Sequence, residues 1–163
     1  MAVERQLFKT VLRHWASGVA IVTTRAGDHV AGMTATSFTS VSLEPPLVLV
    51  CADKKALTLP ILQQAGVFAV NLLADDQHDL SARFALSGNE ALRFEGIACR
   101  RGPTGSPWLP DTLAVLDCRM VATHDAGDHV ILVGEVEGAE WDDARAPLLY
   151  YDAAYRRLGK PPS

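Results

Sequence analysis

Residues 114–141 hold the pattern that most constrains this chain. Ala114, Leu116, Cys118, Met120 and Ala122 fall on alternate positions, between a more polar set that includes Asp117, Arg119 and Thr123. A repeat of two predicts a half-buried strand with its apolar side chains on one face. Asp125, Gly127 and Asp128 supply turn chemistry, and residues 130–141 read as a long strand running back. A hairpin of that length is marginal alone and needs further strands or helices against its apolar face.

Upstream segments supply them. Residues 19–24 are short and β-branched, Gly27-Asp28 is a turn signal, and residues 30–36 read as the returning strand. Residues 47–52 read as a strand buried on both faces, and 67–72 as another apolar strand. Three helices are expected. Val3, Leu7, Phe8, Val11, Leu12 and Trp15 mark one face of the first, which Gly18 ends. The second covers 57–64. The third covers 75–85, with Asp75 or Asp76 as N-cap. Residues 86–112 are rich in Gly and Pro and read as loop. Strands outnumber helices, and their connections are mostly short. The expected fold is mainly β: a closed antiparallel barrel with a few covering helices, because closure removes unpaired edges.

At 163 residues the chain is one domain, with no repeat and no linker. Apolar residues make up 48% and charged residues 21%, which excludes disorder as the main state. With 15 Lys and Arg against 19 Asp and Glu, the net charge of −4 leaves no basic footprint for nucleic acid. The longest strongly apolar run, 47–52, is far too short for a membrane helix, and 18–22 is too short for a secretory core segment. Cys51, Cys99 and Cys118 are odd in number and widely spaced, so they read as buried reduced thiols of a cytoplasmic protein. GxGxxG, the GxxxxGK[ST] phosphate loop, HExxH and GxSxG are all missing. His124 and His129 flank a turn without a third ligand, so no metal site is expected.

Three stretches carry chemistry. Hydroxyls crowd residues 34–42 beside a strand end and can bond a flat polar heterocycle and its polyol chain; taken alone, such a cluster is usually a loop. Lys54-Lys55 with Thr58 opens a helix, a phosphate site in miniature, although a solvated charge pair is the ordinary reading. Gly127-Asp128-His129 places an imidazole at a hairpin tip, where it can reach a ligand or merely contact water.

Taken in order, these stretches resemble the flavin reductase family that supplies reduced flavin to two-component monooxygenases. The matching segments are Ser17-Gly-Val-Ala-Ile-Val-Thr-Thr24, the run from Gly32 through Pro45-Pro46 to Leu47, and Phe68-Ala-Val-Asn-Leu-Leu73. Asp76-Gln77, Arg83-Phe-Ala85, Gly127-Asp-His129, Gly134-Glu-Val136 and Pro147-Leu-Leu-Tyr-Tyr151 complete the set. The resemblance spans about residues 8–158 of a single domain, 1–163. It implies an FMN-binding split β-barrel, antiparallel and Greek-key-like, usually a homodimer. It implies hydride transfer from NADH or NADPH to FMN or FAD, with a flavin-dependent monooxygenase as recipient. Met33, Thr34, Ala35, Thr36, Ser37 and Ser40 are thereby assigned to the ring and ribityl chain. Cys51, Ala52, Lys54, Lys55 and Thr58, with Arg83, Phe84 and Ala85, are assigned to the phosphate region. His129, as the catalytic candidate, and Tyr151 are assigned to the nicotinamide side. Ala56 departs from the family, which often has Ser there. The competing reading is a non-catalytic flavin-binding electron-transfer module on the same fold. Trp141, Tyr150 and Tyr155 are the expected dimer aromatics.

Overall fold

The computed structural model describes residues 2–88 and 90–159. Helix α1 (Arg5–Leu12) opens the chain, with the Glu4 carboxylate accepting the Gln6 N–H at its start. Strand β1 (Ser17–Gly18) leads to β2 (Ala20–Ala26) and β3 (His29–Ala35), which pair across a two-residue turn. Gly27 in that turn has φ of 59°, a left-handed conformation that tight hairpins require and glycine takes without steric cost. Next come β4 (Thr39–Leu43), β5 (Pro46–Asp53), α2 (Thr58–Ala65) and β6 (Val67–Leu72). Helices α3 (His78–Ala85) and α4 (Glu90–Arg93) precede the short β7 (Arg100–Arg101) and β8 (Pro107–Trp108). The long hairpin is β9 (Ala114–Ala126) and β10 (His129–Trp141), followed by β11 (Leu149–Tyr151) and β12 (Ala154–Arg156).

Seven strands form one antiparallel sheet in the order β3-β2-β6-β9-β10-β5-β4. The sheet curls until its distant strands meet. Just past β3, the Ser37 hydroxyl accepts the Cys51 N–H at 3.0 Å and lies 3.1 Å from the Cys51 carbonyl of β5. Inside lie Val22, Val50, Phe68, Val70, Cys118 and Leu132, with Leu59 and Leu62 of α2 closing one end. A second cluster, Ile21, Leu73, Phe84, Leu109 and Leu148, holds α3 and the late loop against the outer face of β2.

Several expectations shift. The alternation in β9 predicts Asp117 on a polar face, yet Asp117 is fully buried. The loop after α4 folds over that face, and the Asp117 carboxylate accepts the Thr104 N–H at 2.7 Å and its hydroxyl at 2.8 Å. A buried carboxylate satisfied in this way anchors the loop. Strand β5 is fully buried on one face only: Val48, Val50 and Ala52 point inward, while Leu47, Leu49 and Cys51 are half-buried. The third helix begins at His78, and no Asp caps it. Residues 74–76 are held elsewhere: Ala74 bridges Pro147, Asp75 N–H reaches the Ala146 carbonyl, and Asp76 pairs with Arg145. Cys118 is buried, but Cys51 and Cys99 are only partly covered.

The first helix stops at Leu12, and none of its residues is buried. Leu7, Phe8, Val11 and Leu12 are each more than half exposed, and Trp15 is 76% exposed. The accessible surface is 9840 Å², against about 7,900 Å² expected for a folded monomer of this mass. Among the described residues, no helix is long and apolar enough to cross a membrane.

Candidate active site

A cavity of about 620 Å³ opens where β3, β5 and β10 meet the starts of α2 and α4. That volume suits a small organic ligand. Three stretches of chain build its wall.

The first is the end of β3. Pairing with β2 stops at Ala35, and the chain then crosses toward β5. Met33, Thr34, Ala35, Thr36 and Ser37 all line the cavity here, with Cys51 beside them. The Thr34 hydroxyl donates to the Ser81 carbonyl at 2.6 Å and ties β3 to α3. Phe84 and Ala85 at the end of α3 complete this wall.

The second stretch is the turn between β5 and α2. The Asp53 carboxylate accepts the Lys55 N–H at 2.8 Å, which tightens the turn. Helix α2 then begins without a side-chain cap and with no acidic residue in its first turn. The Leu59 N–H already donates to the Ala56 carbonyl and Pro60 has no N–H, so what the helix start offers an anion is chiefly its partial positive charge. Lys55, Ala56 and Thr58 face the cavity at this point.

The third group, Ser87, Gly88, Glu90 and Arg93, brings two residues absent from the sequence-based set. Arg93 is only 7% exposed. Its Nη1 donates to the Gly32 carbonyl at 2.6 Å and to Glu90 Oε1 at 3.0 Å, and its Nη2 donates to the Leu86 carbonyl. Its Nε is buried without a partner. Glu90 Oε1 also accepts the Thr58 hydroxyl at 2.7 Å. The Glu90–Arg93 spacing of three on a helix was the available sequence signal, hidden in a Gly- and Pro-rich run.

His129 enters from the tip of the β9–β10 hairpin. Its Nδ1 lies 2.8 Å from Asp128 Oδ1. This contact holds the Asp128 carboxyl below its ordinary pKa. Lys54 fastens the tip: its N–H donates to the Asp128 carbonyl at 3.0 Å, and its Nζ lies 2.8 Å from Asp125.

The cavity thus gathers Met33, Thr34, Ala35, Thr36, Ser37, Cys51, Lys55, Thr58, Phe84, Ala85 and His129. Five other sequence-assigned residues lie outside its wall. Strand alternation turns Ala52 into the core, opposite Cys51. Lys54 is engaged with the hairpin tip. Arg83 donates to the carbonyls of Leu92 and Glu95 and so braces α4. Ser40 is exposed on β4, and Tyr151 sits on β11 opposite Ala154.

The donor set fits the flavin that the sequence resemblance implies. Hydroxyl and backbone groups of residues 34–37 suit a ring edge and polyol. Lys55, the Thr58 hydroxyl, the start of α2 and the Arg93 guanidinium suit a phosphate. Gly32, beside Arg93, and Ala35 are three residues apart along β3, roughly 10 Å at about 3.3 Å per residue. That separation accommodates a ring and a phosphate joined by a polyol. Among the described residues, no group of three His, Cys, Asp or Glu side chains could hold a metal ion.

The chain is similar to known proteins. Residues 12–159 match the family described as flavin reductase like domain. The reductase component of 4-hydroxyphenylacetate 3-monooxygenase from Thermus thermophilus is 43% identical, over 96% of this chain and 99% of that protein. The NADH-dependent FMN reductase SmoA of Agrobacterium fabrum is 40% identical, over 94% of this chain and 86% of that protein. A solved structure of the NADH:FAD oxidoreductase SgcE6 of Streptomyces globisporus, in complex with NAD and FAD fragments, superposes with a TM-score of 0.91. The two are 33% identical, over 100% of this chain and 99% of that one.

Proposed function

The chain belongs to the flavin reductase-like domain family, and from that premise we propose that it is an NAD(P)H-dependent flavin reductase that supplies reduced flavin to a partner monooxygenase. The observation that carries this reading is the single cavity shared by a hydroxyl-lined strand end, an anion-binding helix start and His129. Flavin, when bound, accepts a hydride from the nicotinamide and becomes the reduced product.

The chain's own residues bind and orient. The Thr34 and Ser37 hydroxyls already donate to the Ser81 and Cys51 carbonyls, so the Thr36 hydroxyl and the backbone of the segment would offer donors to the ring. The start of α2, with Lys55 and Arg93, offers positive charge to the phosphate, and Thr58 a hydroxyl. His129 orders the nicotinamide side. In the tautomer whose Nδ1–H donates to Asp128, Nε2 is left to accept from an amide N–H. Stacking and orientation supply the rate, so no side chain needs to act as a general base.

The same reading extends to assembly. The apolar face of α1 is unburied, and its Leu12, with Trp15 and Tyr150, lines a second hollow that shares Thr36 with the cavity wall. A second copy docked on that face would form a homodimer with flavin close to the interface. The setting is a single-domain protein in the reducing cytoplasm, in keeping with its unpaired cysteines.

Anaerobic mixing tests the reading. NADH should bleach the yellow of FMN or FAD only in the presence of the protein. Bleaching at the uncatalysed rate would remove the enzymatic role and leave a flavin-binding module.

A further inference from the structure

Glu90 has no part in the scheme above, yet it is a carboxylate set among groups that attract anions. Its side chain is 15% exposed. The Arg93 guanidinium and the Thr58 hydroxyl touch it, and Lys55 and the uncapped start of α2 line the same cavity. Thr58 Oγ1 and Arg93 Nη1 donate to the same oxygen of Glu90, at 2.7 Å and 3.0 Å. The other carboxylate in the wall, Asp53, is exposed and accepts the Lys55 N–H. Arg93, itself 7% exposed, keeps a buried Nε–H without a protein partner. A buried donor left unpaired is costly, and an acceptor reaches this one only if the side chains around it move.

We infer that Glu90 is an internal anion holding the place of a flavin phosphate, and that a phosphorylated flavin displaces its carboxylate from Thr58 and Arg93 in order to bind. The inference rests on the flavin reading. The Thr58 hydroxyl has one proton to donate, so it cannot serve Glu90 and a phosphate together. Two oxyanions sharing one guanidinium also repel at short range. Glu90 therefore weakens FMN and FAD relative to a flavin without phosphate. It is a specificity-determining residue, and it favours release of flavin over retention. That property suits a protein whose reduced product is used elsewhere.

The test is the affinity of wild type and Glu90→Gln for FMN and for riboflavin, read from quenching of flavin fluorescence. Gln keeps the shape and an acceptor for Thr58 but removes the charge. FMN should bind roughly tenfold tighter to the variant, while riboflavin moves by less than about twofold. Inorganic phosphate should likewise compete with FMN more strongly in the variant. The ratio of FMN to riboflavin affinity does not depend on the folded fraction, so partial destabilisation of the variant leaves the result readable. An equal shift for both flavins, or weaker FMN binding, overturns the role of Glu90. Failure of wild type to bind either flavin overturns the flavin reading itself, and this inference with it.

Discussion

His129 Nδ1 lies 2.8 Å from the carboxylate of Asp128, its neighbour at the tip of the β9–β10 hairpin. In a neutral imidazole such a contact favours the proton on Nδ1 and leaves Nε2 as an acceptor. The His129 contact lowers the Asp128 pKa. A lowered folded pKa contributes above the unfolded value and is lost as pH falls through the folded one, so the contact persists at neutrality.

Replacing Asp128 should therefore act through His129. Asp128→Asn can donate as well as accept, so the tautomer is no longer fixed. kcat/KM for NADH should fall roughly three- to tenfold, with flavin KM unchanged. His129→Ala removes one hydrogen bond outright, worth about 0.5–3 kcal/mol, and should lower kcat/KM for NADH roughly two- to 150-fold. Steady-state kinetics with each substrate varied in turn separates the two sides. Loss of flavin affinity instead would reverse the assignment of His129.

The cysteines should differ sharply in reactivity. Burial, with the neighbouring Asp117 and Glu137 charges, pushes the Cys118 thiol up from 9.0 to about 12. Burial raises Cys99 as well, opposed by Arg25. Iodoacetamide near pH 8 should label Cys51 and Cys99 and leave Cys118 intact, because the thiolate is the nucleophile. FMN should protect Cys51, which lines the cavity, and leave Cys99 unprotected. The raised folded pKa of Cys118 contributes stability in full below pH 9.0 and loses it as pH rises toward about 12. Peptide mapping after labelling, and unfolding midpoints across that alkaline window, check both statements.

The extent to which all this was legible in the sequence varied with the source of the signal. The β9–β10 hairpin was legible because its alternation and its Gly127 turn are local properties. The gathering of Thr36, Thr58 and His129 was suggested only by ordered resemblance, since barrel closure joins residues far apart in the chain. Asp117 misled because alternation cannot foresee a loop folding over the second face of β9. Glu90 and Arg93 went unread because their role depends on Gly32 and Thr58, which lie 58 and 32 positions before Glu90. Lys54 and Arg83 have the right charge for a phosphate, but side-chain direction turns them to the hairpin tip and to α4.

Gly134 sits at a register shift of the long hairpin, and a methyl group there has no room. A Cβ would lie 2.5 Å from the Phe68 ring and 2.9 Å from Cys118 Cβ, both in the barrel core. Gly134→Ala should destabilise the fold by roughly 1–3 kcal/mol, seen as a lower urea midpoint. An unchanged midpoint would mean that the core yields more readily than its packing implies.

Charge on the open face of α1 should separate the subunits. Phe8→Glu with Leu12→Glu places two carboxylates where apolar groups are about half exposed, at 52% each. Light scattering should return twice 17.6 kDa for wild type and about 17.6 kDa for the double variant. A wild-type mass of 17.6 kDa at micromolar concentration would remove the dimer.

The central claim is that the cavity bounded by Thr36, Thr58 and His129 receives a flavin and presents it to a reduced nicotinamide. The most direct measurement is NADH consumption in air as free FMN or FAD is titrated into the purified protein. A rate that is negligible without flavin and rises to saturation as flavin is added is the predicted result. NADH that remains unconsumed at every concentration of both flavins would contradict it.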